Sequence, residues 1–161
     1  QRQMCIRDSF KGVDDPVEIV FFGDHQPGLC NDFIKLLNGK GNSGLTEQEL
    51  ENLYKVPFFI WTNYETDAQT VDVTSLNYLS TLTLERANID LPAYNRFLAE
   101  LMEKIPAINS RGYYSKKNEC FMHVDEATGD EAKWIKAYNI LQYNSMFDEK
   151  DRSSLLFPYL K

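Results

Sequence analysis

Gly23-Asp24-His25-Gln26-Pro27 sets a carboxylate beside an imidazole directly after the apolar run Val17-Glu18-Ile19-Val20-Phe21-Phe22. A carboxylate oxygen and a neutral imidazole nitrogen are natural donors to a hard or borderline divalent cation. An isolated Asp-His pair would read as a helix cap followed by a surface histidine. Its place after a strand brings in the metal reading, because open α/β sheets carry their chemistry just beyond the carboxyl ends of strands. Two donors fall short of the about four to six that such an ion takes, so further ligands have to come from elsewhere.

The elements around this pair follow from periodicity. Val, Ile and Phe over the run 17–22 predict a strand buried on both faces, as in the middle of a parallel sheet. Gly23 lets the backbone bend at its end, and Pro27 stops it from continuing. Leu29 to Leu37 has helical spacing, and Asn38 to Gly44 is a flexible loop. Thr46-Glu47-Gln48-Glu49 has the capping-box pattern and opens a short helix to about Tyr54. Val56 to Asn63 is aromatic and β-prone, a second sheet strand with Pro57 tolerable near its start.

Beyond it, Asp72 to Asn88 reads as a helix with Leu76, Leu79 and Leu82 on one side. Pro92 suits the first turn of the next helix, where Tyr94, Phe97, Leu98, Leu101, Met102 and Ile105 keep amphipathic spacing until Pro106. Gly112-Tyr113-Tyr114 and Cys120 to Val124 flank a polar turn, the pattern of a hairpin. A last helix spans about Asp130 to Asn144. The tail Leu155 to Leu160 is apolar enough to dock. No internal repeat or linker interrupts the chain, which reads as one unit.

At 161 residues, with 43% apolar and 25% charged side chains, the chain is long enough for one domain with a real core. The net charge of −7 leaves no basic footprint for nucleic acid or an anionic membrane surface. No apolar run nears the roughly 18 residues needed to cross a bilayer. Cys5, Cys30 and Cys120 are too few and too scattered for a disulfide framework or a thiolate zinc site. The segment Met4-Cys5-Ile6-Arg7-Asp8-Ser9 resembles translated adapter sequence of the kind found at the ends of metagenomic assemblies. Residues 1–9 are therefore expected to be an extraneous leader, with the authentic sequence starting near Phe10 and running to 161.

Five landmarks stand in order: a strand ending GDHQP, a P-F-x-I-W-x-N strand, T-S-L-N-Y-L-S, a P-x-Y-x-x-F-L helix, and Y-x-I-L-Q-Y-N. Together they resemble the carboxy-terminal portion of the lipoteichoic acid synthase-like phosphoglycerol transferases, within the alkaline phosphatase and sulfatase superfamily. The resemblance covers Phe10 to about Asp148. It implies a three-layer α/β/α sandwich, here an incomplete carboxy-terminal portion. It also implies an extracellular catalytic domain, held to the bacterial cell membrane by preceding transmembrane helices. Such enzymes move glycerol phosphate from a phosphatidylglycerol-type lipid to a glycerophosphate polymer acceptor, or cleave related phosphodiesters, with Mn2+ or Mg2+ and a threonine nucleophile.

By the same resemblance Asp24 and His25 are metal ligands, while the nucleophile and a further carboxylate lie upstream, so this portion alone is expected to be inactive. Thr46, Thr62, Thr70 and Thr74 read as cap or loop residues, and His123 as structural or surface-exposed. Trp61, Asn63 and Tyr64 suit the edge of a groove or, better, the core; Gln26 suits substrate contact or a cap. The alternatives are a sulfatase or another phospho- or sulfo-ester hydrolase of the superfamily, or a catalytically dead structural module.

Overall fold

The computed structural model describes residues 2–158, leaving aside the side chains of residues 2–4 and 42. The chain divides into two compact units, Gln1–Thr70 and Val71–Lys161, rather than the single unit read from the sequence. Both mix helix and strand, in keeping with the α/β class, and each contains one two-stranded sheet.

The amino-terminal unit runs α1 (Arg2–Phe10), β1 (Glu18–Phe22), α2 (Asn31–Asn38), α3 (Glu47–Asn52) and β2 (Phe58–Thr62). The stretch read as a leader is thus helical from Arg2, while Gln1 lies outside the described residues. β1 and β2 pair antiparallel, with Ile19 opposite Trp61 and Phe21 opposite Phe59. The latter two rings stack with centroids 5.3 Å apart. A parallel, doubly buried strand was the expectation, and both parts need correction. β1 is half-buried and its end is open, with Phe22 48% exposed. A short apolar run reports what a strand is suited to, not which neighbours it has.

Asn63 closes the ribbon. Its Oδ1 accepts from Val17 N at 2.7 Å, while its Nδ2 donates to the carbonyls of Val13 (3.0 Å) and Asp15 (2.9 Å). That side chain therefore shapes the approach to β1 and is structural. The capping box forms as read: Thr46 Oγ1 accepts from Glu49 N (3.2 Å) and Thr46 N donates to Glu49 Oε2 (2.8 Å). The Thr46 amide, followed by Lys40, holds the Glu49 carboxyl below its ordinary value.

The carboxy-terminal unit holds α4 (Leu79–Arg86), α5 (Ala93–Lys104), β3 (Gly112–Ser115), β4 (Cys120–His123) and α6 (Gly129–Met146). Its core gathers Tyr78, Leu98, Leu101, Ile105, Ile108, Tyr113, Ile135 and Tyr138. The hairpin and the α5 stripe fall where periodicity put them, although Pro92 precedes α5 as its cap residue instead of lying in its first turn. The helix expected over 72–88 starts only with a 3-10 turn at Leu76–Tyr78. Ser75 stays extended because its Oγ accepts from Ile108 N at 3.0 Å. The helix consequently buries Tyr78 and Thr81 and leaves Leu76 60% exposed, not the leucine face expected. Phe157 of the tail is buried against Tyr94, Leu155 is exposed, and Tyr159 and Leu160 lie outside the described residues. Among the described residues no helix is long and apolar enough to cross a membrane.

Candidate metal half-site

Gly23 holds the exit from β1 by close approach. Its N–H donates to Pro57 O at 3.1 Å, and a Cβ at this position would stand 2.8 Å from Val56 Cβ. Only a residue without a side chain lets the two segments meet so closely, so contact, not the bend expected, accounts for the glycine. Gln26 anchors the far side of the turn, its side-chain amide donating to Lys55 O. That gives Gln26 a structural task in place of substrate contact or capping.

Between these two fixed points stand Asp24 and His25. His25 N donates to Asp24 Oδ1 at 2.9 Å, which orients the carboxylate. The imidazole is oriented in turn, with Nδ1 at 2.8 Å from Gln26 O. A carbonyl only accepts, so Nδ1 carries the proton in this contact and the neutral ring offers its lone pair at Nε2. Nε2 lies 3.4 Å from Asp24 Oδ2. Donors about 2.1 Å from one ion are about 3.4 Å apart at a tetrahedral angle and about 3.0 Å apart at an octahedral one, so the pair stands within reach of either geometry. A ring N–H tied to a backbone carbonyl is also the usual outer support of a metal-bound histidine.

The donor chemistry and spacing therefore fit one edge of a cation site. They do not complete one. Both side chains are largely exposed, His25 at 77% and Asp24 at 83%. No group of three or more His, Cys, Asp or Glu side chains suited to an ion forms among the described residues.

Most of the remaining candidates have structural roles, while Thr74 Oγ1 is buried without a hydrogen-bond partner among the described residues. Thr46 caps α3, and Thr62 Oγ1 donates to Tyr64 O at 2.9 Å. Tyr64 OH donates to Glu18 Oε2 at 3.2 Å. Trp61 lines an apolar cavity of about 280 Å3 with Ile19, Phe21 and Phe59, apart from the Asp24-His25 turn. His123 is exposed and caps a 3-10 turn, its Nδ1 accepting from Asp125 N at 3.3 Å. The signal for Asn63 was available in the sequence: an amide at the end of a strand, where loop carbonyls need donors.

The fold has a counterpart among solved structures. The chain shares its fold with a segment of the Streptococcus pyogenes phosphoglycerol transferase GacH, solved in complex with sn-glycerol-1-phosphate. The TM-score is 0.59 at 19% sequence identity, over 88% of this chain and 30% of that one. At such identity the likeness is one of fold, and this chain spans less than a third of that protein's length. No family model and no curated protein matches the chain.

Proposed function

We propose that this chain is the carboxy-terminal portion of a phosphoglycerol transferase catalytic domain of the three-layer α/β/α type, in which Asp24 Oδ2 and His25 Nε2 hold one divalent cation. The observation that carries the reading is the 3.4 Å spacing of those two atoms, with the other ring nitrogen tied to Gln26 O. The shared fold with a phosphoglycerol transferase supports it independently.

A bound Mn2+ or Mg2+ supplies charge that polarises a phosphoryl group and lowers the pKa of an attacking hydroxyl. This chain's residues prepare for that. Asp24 provides negative charge and an oxygen donor; His25 provides a neutral nitrogen, its tautomer fixed by Gln26 O. Gly23 and the Gln26 side chain hold the turn so that neither donor has to be ordered when the ion arrives. Because protons compete for Nε2, cation binding weakens on acidification. The donor substrate in this reading is a phosphatidylglycerol-type lipid and the acceptor a glycerophosphate polymer. The domain works on the outer side of a bacterial cell membrane to which the whole protein is anchored. The nucleophilic hydroxyl and the remaining donors belong to polypeptide outside these 161 residues.

Mn2+ titration followed by electron paramagnetic resonance tests the half-site directly. Weak binding is expected in the chain and a clear loss in Asp24→Asn and His25→Ala, with far-UV circular dichroism unchanged. In the full-length protein both substitutions abolish turnover. Unaltered Mn2+ binding in the two variants, or normal turnover in either, refutes the assignment.

A further inference from the structure

We infer that Pro57 is a positioning residue for the proposed half-site: it ends the β1–β2 ladder and fixes the backbone from which the Gly23–Gln26 turn hangs. Its consequence for cation binding rests on the metal reading above; its hold on the turn does not.

The turn has little of its own to order it. Asp24, His25, Gln26 and Pro27 are all exposed, so no buried side chain anchors them. Among the described residues, two hydrogen bonds tie residues 23–26 to another segment, and both acceptors flank Val56. Gly23 N donates to Pro57 O at 3.1 Å, and the Gln26 side-chain amide donates to Lys55 O. Carbonyls two residues apart point the same way in an extended chain. Lys55 and Pro57 therefore grip the turn from one side, at its start and at its end.

Pro57 makes this possible in two ways. First, pairs along an antiparallel ladder alternate between hydrogen-bonded and open. Asn63 N donates to Val17 O, and the register sets Ile19 against Trp61 and Phe21 against Phe59. One step past the ladder, the next bonding pair is Gly23 and Pro57. Such a pair ordinarily exchanges two bonds, but proline has no N–H to return to Gly23 O. The ladder stops there, and Asp24 is the first residue released from the sheet. Second, the residue before a proline is kept out of the helical region, and Val56 is β-branched besides. The Lys55 and Pro57 carbonyls consequently keep a fixed separation. Gln26, held on Lys55 O, in turn presents its own carbonyl to His25 Nδ1 at 2.8 Å. The path from Pro57 to the imidazole thus runs through backbone and one amide.

Pro57→Ala tests this, because alanine restores the missing N–H. The residue-57 amide of the variant is expected to be protected from hydrogen exchange by Gly23 O, lengthening the ladder by one bond. The thermal midpoint should move little. Mn2+ binding, followed by electron paramagnetic resonance, should weaken about tenfold, the lower end of the range for groups that support a metal ligand. The 15N shifts of the His25 ring in the metal-free chain, at a pH where the ring is neutral, should lose the signature of a single Nδ1–H tautomer. A purely structural proline would instead lower the thermal midpoint and leave the ring shifts alone. Pro57→Val, a better strand former with the same N–H, repeats the measurement if Pro57→Ala does not fold. Gln26→Ala, which frees the turn from Lys55 O, should also lose both the ring signature and the binding. Unchanged ring shifts at either position, or a parent chain whose ring shows no single tautomer, overturn the inference. So does undiminished Mn2+ binding in a variant whose ring signature is lost. A parent chain with the fixed tautomer and no Mn2+ binding refutes the metal reading alone.

Discussion

The two units differ in what they bury. In the amino-terminal unit, Ile34 and Glu51 are the buried side chains among the described residues. In the carboxy-terminal unit a contiguous core joins both of its longest helices to the hairpin. Yet the Asp24-His25 pair lies in the unit with little core, while in the well-packed unit His123 caps a turn. Packing and chemistry are thus separated along the chain. A ribbon with apolar residues on both faces and with Phe22 and Phe59 exposed is incompletely covered, whereas α5 and α6 bury Leu98, Leu101, Ile135 and Tyr138 in a common core, although the end of α6 leaves Ile140, Tyr143 and Met146 exposed.

The largest effect that contrast predicts is in the core. Leu101 is fully buried, and Leu101→Ala should cost about 2–5 kcal/mol of unfolding free energy. Leu36→Ala, at a side chain 79% exposed in the other unit, should cost little in this chain. Denaturant unfolding of the two variants against the parent chain measures the difference. Comparable losses would mean that the amino-terminal unit is packed as tightly as its neighbour.

The same contrast governs what the sequence discloses. The stripe Leu98, Leu101 and Ile105 is legible because its helix finds its partners nearby in the chain. The Thr46–Glu49 box is legible because capping is a local transaction between side chain and backbone. β1 was legible as a strand but not in its pairing, since its composition answers to neighbours that a local reading cannot specify. Ser75 misled for another reason: a long-range bond from Ile108 N outweighs helical propensity at the start of α4. At the proposed site, residue types and strand-end position singled out Asp24 and His25 as candidates. The roles of Gly23, Gln26 and Asn63 depend on Val56, Lys55 and the 13–17 loop, contacts that arise only on folding.

A second, smaller effect belongs to the hydroxyls of the carboxy-terminal unit. Tyr113 OH donates to Glu131 Oε2 at 3.1 Å, and Ser115 Oγ donates to Oε1 at 2.8 Å, pinning α6 to the hairpin. Tyr113→Phe should cost about 1.5–3 kcal/mol, the range for a hydrogen bond to a charged group. Burial, with the nearby carboxylate adding to it, pushes the Tyr113 hydroxyl from its ordinary 10 up to about 12. The neutral hydroxyl is then favoured by folding. Its contribution is full below pH 10 and is lost as pH rises through 12, because the unfolded chain gives up the proton first. Burial raises Tyr94 in the same sense, also to about 12. Fluorescence-monitored unfolding across that window should show a steeper alkaline loss in the parent than in Tyr113→Phe; parallel curves would remove Glu131 from the account.

The smallest effect probes the turn that carries the proposed ligands. Gly23→Ala places a methyl group 2.8 Å from Val56 Cβ, and relieving that overlap should cost about 1–2 kcal/mol. A glycine retained for backbone freedom would give the same loss, so the single variant does not discriminate. The double variant Gly23→Ala/Val56→Gly does, since it removes the clashing carbons while keeping the methyl group. Its stability relative to Val56→Gly alone isolates the contact through a double-mutant cycle. Recovery of most of the loss, together with recovered Mn2+ binding, means that close approach sets the spacing of Asp24 and His25. No recovery means that the backbone at Gly23 needs a conformation closed to alanine, and the turn is held by torsion and not by packing.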